Sequence, residues 1–383
     1  MLTRSSRAPL SAMARLGRSL FYDTRFSSSG KVSCASCHSP QHGYGPPGET
    51  AVMNGGPHLE SQGLRAVPSL MYLERQPAFG IGPDSDDATA RSTAAHLVPQ
   101  GGLFWDGRAD TLQDQARSPL LSSFEMDGGS IARVAALLRR HYRTSFVELF
   151  GPSVLAHPEL LPQEALFALG RYQIEDSSFH PYASKYDAWL EGKARFTPSE
   201  LRGYRIFNDA KRGNCAACHL DRASADGIPP AFTDYQYEAL GVPRNRTLTA
   251  NRDSHYFDLG LCGPARTDLR SHTEYCGMFA TPTLRNVATR HVFFHNGRYR
   301  SLREVIDFYN FRAVAPEKIY PKGLPDDLPD AYRRNLDRTA PFDRNVGEKP
   351  ALTSRDEDDL IAFLKTLTDG YAPNARTAVS SQL

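Results

Sequence analysis

The chain has 383 residues, 40% of them apolar and 23% charged, with 45 Lys+Arg against 43 Asp+Glu. So even a charge balance excludes a nucleic-acid binder or a membrane-surface protein, and no window reaches the ~18 consecutive apolar residues of a spanning helix. The length provides for two ordinary cores, and 29 Gly with 27 Pro imply many turns and long loops.

In chain order, the N-terminal stretch carries Arg4, Arg7, Arg15, Arg18 and Arg25 without an apolar core of signal-peptide type. Any export signal is therefore expected to lie outside the sequence in hand. Residues 76–103 are rich in Gly, Pro, Asp and Ser and read as a long loop. Ser130 precedes an amphipathic stripe of Ile131, Val134, Ala135, Leu138 and Tyr142, which predicts a helix. A boundary between two halves is expected in 176–196, giving domains 1–185 and 186–383. Thr197-Pro198-Ser199-Glu200 is a capping box with Pro at the first helical position. Residues 220–260 read as a second long loop. Ser301-Leu302-Arg303-Glu304 is another capping box, followed by Leu302, Val305, Ile306 and Tyr309 at helical spacing. Leu360, Ile361, Leu364 and Leu367 predict a last helix, with Gly370 as its stop. Strand signals are few, and no long internal repeat is visible beyond the cysteine motif described next. The fold class is mainly α, with long loops and few short strands.

Six cysteines are present. Four form two copies of one motif, Cys34-Ala35-Ser36-Cys37-His38 and Cys215-Ala216-Ala217-Cys218-His219. C-x-x-C-H is the attachment signature of c-type haem. The thiols add to the porphyrin vinyl groups, and the adjacent His reaches the iron. Half of a zinc site would need two further ligands, and a thioredoxin-type site does not call for the trailing His. Two copies point to two covalent haems, one per half. Such chemistry belongs to an oxidising compartment, which places the protein in the periplasm. Cys262 and Cys276 fit that setting as a disulfide pinning a Gly/Pro-rich insertion, worth about 3 kcal/mol in the loop-entropy model.

Further segments resemble the bacterial dihaem cytochrome c peroxidases and their relative MauG. They are Leu16-Gly17-Arg18-Ser19-Leu20-Phe21-Tyr22-Asp23, the first cysteine motif, Phe104-Trp105-Asp106-Gly107-Arg108-Ala109-Asp110, Gln115-Ala116, Pro119-Leu120, Glu125-Met126, Thr281-Pro282-Thr283-Leu284-Arg285-Asn286 and Phe294-His295-Asn296-Gly297. The resemblance implies two facing cytochrome c-like domains. The first haem, on His38, would be the peroxide site, with Glu125 as acid/base and Gln115 and Pro119 lining its distal pocket. Trp105 would sit between the haems and carry electrons or holes. The second haem, on His219, would store an oxidising equivalent.

The sixth ligand of that second haem separates the branches. In the peroxidases it is a Met; at the matching place this chain has Tyr309, as MauG does, with Met278 ranked below it. An oxygen ligand favours ferric and higher iron states. The expected activity is therefore MauG-like: hydrogen peroxide drives a bis-Fe(IV) state that oxidises a residue of a partner protein. The Cys262/Cys276 loop and Pro316-Glu317-Lys318-Ile319-Tyr320-Pro321 resemble the branch of methanobactin clusters, the MbnH-like proteins, whose target is a tryptophan of a small copper-binding partner. The alternatives are an ordinary dihaem cytochrome c peroxidase, fed by a small cytochrome or cupredoxin, and a dihaem electron-transfer protein.

Three departures from the family pattern stand out. Gly213 occupies the place of the Trp through which MauG passes holes to its substrate. Arg65-Ala66-Val67-Pro68 replaces an R-N-x-P segment whose Asn binds an inter-haem calcium, which leaves backbone carbonyls for that ion. His58 falls near the place of a His that blocks the peroxide site in resting peroxidases.

Overall fold

The computed structural model describes residues 2–4, 8–83 and 97–372. Eleven α-helices are present among them: α1 (Ala12–Phe21), α2 (Cys34–Cys37), α3 (Leu112–Leu121), α4 (Ile131–His141), α5 (Arg143–Phe150), α6 (Leu160–Glu175), α7 (Lys185–Leu190), α8 (Pro198–Phe207), α9 (Leu302–Phe311), α10 (Pro316–Ile319) and α11 (Ser354–Lys365). Six short strands form three antiparallel ribbons: β1 (Asn54–Gly55) with β2 (Ser61–Gln62), β3 (Gly80–Pro83) with β4 (Leu97–Gln100), and β5 (Tyr237–Glu238) with β6 (Phe279–Ala280).

Two large cores account for most of the buried apolar side chains. The first gathers Leu16, Phe21, Tyr44, Phe146, Tyr172, Phe179 and Tyr182 among others, and all of its members lie between positions 16 and 182. The second gathers Tyr186, Phe207, Phe232, Phe308 and Phe363 and runs from 186 to 367. Each is built on one close helix crossing. Gly17 of α1 lies against the Ala168 carbonyl of α6, and Gly203 of α8 lies against the Asp359 carbonyl of α11; a Cβ at either glycine would overlap that oxygen. Both glycines stand four residues before a fully buried Phe, Phe21 or Phe207. The two halves therefore share a helix-crossing pattern, G-x-x-apolar-F, that reading for long repeats does not detect.

The capping boxes at Thr197 and Ser301 are both formed, and Ser130 caps α4. The last helix differs from expectation at its C-terminal end. It starts at a further capping box, Thr353 with Asp356, and it stops at Lys365. Leu367 and Gly370 lie beyond it, because the hydroxyl of Thr366 donates to the Phe363 carbonyl and closes the last turn. The segment 76–103 holds β3 and β4 at its ends; residues 84–96 lie outside the described residues. The 220–260 segment is mostly irregular, as expected, apart from β5 and a short 3-10 turn at Ala250–Arg252. Cys262 and Cys276 are joined in a disulfide. Leu269 of the loop it ties off packs, with Leu261 just before it, on Tyr237.

Candidate functional site

Two cavities, of about 380 and 300 Å³, lie one in each half. Cys34, Cys37 and His38 line the first, together with Trp105, Gln115, Pro119 and Glu125. Cys215, Cys218, His219, His295 and Tyr309 line the second. Trp105, Gln115 and Asp258 line both, so the cavities meet at the indole. His58 is exposed and does not line the first cavity. Met278 packs with Tyr237 and Leu261 and is absent from the lining of the second.

Each motif histidine is oriented the same way. His38 Nδ1 lies 3.1 Å from the Tyr44 carbonyl, and His219 Nδ1 lies 3.0 Å from the Phe232 carbonyl. Tyr44 and Phe232 both adopt left-handed backbone, with φ of 50° and 55°. That conformation is strained for an aromatic residue and is held by packing, since Tyr44 and Phe232 are 3% and 0% exposed. A carbonyl at Nδ1 fixes the tautomer with the proton there and leaves Nε2 as a lone-pair donor. Burial pushes both imidazoles down to about 4, which keeps them neutral and able to ligate. Neither aromatic was singled out in the sequence; the only signal was its short distance after the His.

The donor set fits covalent haem. Both cavities are mainly apolar, open beside a pair of thiols, and carry one oriented imidazole. Among the described residues no grouping of three or more His, Cys, Asp or Glu side chains has the geometry to hold a metal ion. His38, His219 and Tyr309 each retain some exposed surface although protein surrounds them closely enough to shift their ionisation by burial. The two observations agree because that surface faces the cavities.

Glu125 shows the same combination. It is exposed by area, yet burial raises its pKa, against lowering contributions from the Ser122 hydroxyl and the Arg108 guanidinium. Gln115 lies on α3 and is buried. Pro119 lies in the last turn of that helix: it has no N–H to return to the Gln115 carbonyl, and its own carbonyl accepts from Met126 N at 3.1 Å, which folds the Glu125 segment back over the cavity.

Trp105 is 9% exposed, and its Nε1 donates to the Ala66 carbonyl at 2.8 Å. Beside it, Arg65 bridges Asp106 at 2.7 Å and Asp258 at 2.6 Å, and Asp106 also binds Arg108 at 2.7 Å. Asp258 was not anticipated; it lies in a loop without periodicity. Tyr309 projects from α9, stacks on Phe342 at 5.4 Å, and has its phenol pushed upward in pKa first by burial and then by the Cys218 and Cys215 sulfurs.

Residues 11–195 match the family model described as di-haem cytochrome c peroxidase. MauG of Paracoccus denitrificans is 37% identical over 371 residues, covering 94% of this chain and 89% of that protein. The chain belongs to the dihaem cytochrome c peroxidase/MauG family. Among solved structures, the diheme peroxidase BthA of Burkholderia thailandensis superimposes with a TM-score of 0.86 at 37% identity, over 96% of this chain and 88% of that one. A MauG-like protein associated with microbial copper homeostasis aligns with a TM-score of 0.65 over 96% of this chain and 93% of that one, and at 24% identity this is a likeness of fold. Membership makes this a dihaem peroxidase-type oxidoreductase, with cytochrome c-like domains and two haems. No helix among the described residues is long and apolar enough to cross a membrane.

Proposed function

We propose that this protein uses hydrogen peroxide to oxidise a residue of a partner protein in the periplasm, in the manner of MauG. The observation that carries this reading is Tyr309, which lines the second cavity together with His219 while Met278 does not. When attached, the haems supply the redox chemistry: peroxide is reduced at one, and oxidising equivalents are held across the pair. A phenol oxygen supplied by Tyr309 would suit a haem that stores oxidising power, whereas a thioether would favour the ferrous state of an ordinary peroxidase.

The residues divide the work as follows. His38 and His219, neutral and fixed through Nδ1, would hold the two haem irons through Nε2. Glu125, with its raised pKa, takes a proton from bound peroxide and returns it to the departing oxygen. Gln115 and Pro119 shape the space in which that transfer occurs. Trp105 couples the two cavities. We place the division between the haem units at 185/186, between the two cores.

The 37% identity to MauG supports a protein substrate, and tryptophan is the residue class proposed. A copper-binding partner rests on the sequence resemblance alone. The test is addition of hydrogen peroxide to the diferric protein. A near-infrared charge-resonance band is expected, and Tyr309→Met should abolish it. An ordinary peroxidase would instead show sustained turnover with a reduced small cytochrome and no such band.

A further inference from the structure

The chain has only two tryptophans. Trp105 lies where the cavities meet, and Trp189 lies on α7, outside both. A route of side chains nevertheless joins Trp189 to the second haem site. His219 Nδ1 is 3.0 Å from the Phe232 carbonyl. The Phe232 ring meets Tyr186 edge-on at 5.0 Å between centroids, and Tyr186 lies 5.5 Å from Trp189. Trp189 in turn stacks on Phe196 at 4.6 Å and meets Tyr204 at 5.1 Å. Phe232 and Tyr186 are fully buried, Trp189 is half-buried, and its neighbour Leu190 is 37% exposed. The row therefore runs from the proximal ligand to the surface.

The route through position 213 is closed. A Cβ on Gly213 would press on the Ile206 carbonyl oxygen, so that backbone cannot carry an indole without moving. Aromatic rings also lie behind His38, but those around Tyr44 are Phe and Tyr rings with no indole among them, and the Tyr44 phenol is hydrogen-bonded to the Ser178 hydroxyl, which donates to Asp176. An indole gives up an electron without first losing a proton, which favours Trp189 as an outlet.

We infer that Trp189 is the relay through which oxidising equivalents leave the second haem site for the partner. This rests on the reading above that the substrate is a protein. Trp189 passes one electron inward through Tyr186 and Phe232 and becomes an indole radical cation; one electron from the partner residue restores it. Two such transfers deliver the two electrons that, with two protons, convert one hydrogen peroxide into two waters.

The test uses the haem-loaded full chain treated with hydrogen peroxide and no electron donor, followed by peptide mass spectrometry and near-infrared spectroscopy. Hydroxylated or kynurenine products are expected to concentrate at Trp189. In Trp189→Phe the band should still form, because residue 189 lies outside both cavities, and should decay about tenfold more slowly. Trp189→Tyr, which keeps an oxidisable ring, should decay at an intermediate rate and serves if the Phe variant does not fold. A band that forms and decays alike in all three proteins, with Trp189 unmodified, overturns the relay and leaves the proposed function standing. No band in the unsubstituted protein overturns the proposed function, and the relay with it.

Discussion

The indole nitrogen of Trp105 donates a 2.8 Å hydrogen bond to the carbonyl of Ala66. That contact fixes the ring where the two cavities meet. It also occupies a backbone oxygen in the segment where the family pattern would offer an Asn to calcium. One bond thus bears on both the coupling of the two sites and the need for an ion between them.

Trp105→Phe should keep the fold, losing about 1 kcal/mol for the hydrogen bond. It should slow electron exchange between the two haems by at least about tenfold. Stopped-flow spectroscopy of the singly reduced protein measures this directly.

Calcium removal should matter little. Ala66 has no side-chain oxygen, and its carbonyl already holds the indole N–H. Treatment with EGTA is expected to leave the haem spectra and the melting temperature unchanged. A large spectral change on chelation would show that carbonyls alone hold the ion.

On the proposed reaction, Glu125 should set the pH dependence. Burial raises its pKa, so the carboxylate form, which would accept the peroxide proton, forms at higher pH than for an ordinary glutamate. The rate of reaction with peroxide should rise through that window. Glu125→Gln should flatten the profile and lower the rate by about 10²-fold or more. An unaltered profile would remove Glu125 from the mechanism.

Asp187 and Arg285 form a bidentate pair at 2.8 and 3.0 Å, with side-chain exposures of 1% and 0%. Burial opposes ionisation of Asp187, but the Arg285 guanidinium outweighs it and holds the carboxyl below its ordinary value. A depressed carboxyl pKa contributes stability above the unfolded value, near 3.9, and loses it as pH falls through the folded value. Asp187→Ala strands the guanidinium and should cost about 3–5 kcal/mol, seen as a lower denaturant midpoint with an unchanged slope.

Much of this was legible in the sequence, because haem attachment is written in contiguous residues. Cys34, Cys37, His38 and their second copy state the cofactor, and Thr197, Ser301 and Ser130 cap the helices they announce. Trp105, Gln115, Pro119 and Glu125, far apart from the first cysteine motif in the chain, all line the first cavity. Other features were invisible for physical reasons. The roles of Tyr44 and Phe232 depend on backbone conformation rather than residue type. Asp258 meets Arg65 across 193 positions, a distance no local pattern encodes. The shared helix crossing hides because only a glycine and a phenylalanine are common to both halves. Gly370 misled because a threonine hydroxyl ends α11 earlier.

Electron paramagnetic resonance of the resting diferric protein, compared with Tyr309→Met, tests the central claim most directly. One high-spin iron with an open position and one low-spin iron with an oxygen ligand are expected, the latter replaced by a thioether signature in the variant. Two low-spin irons, or a sulfur or imidazole on the second iron before any substitution, would contradict the assignment of Tyr309 and the protein-oxidising reading built on it.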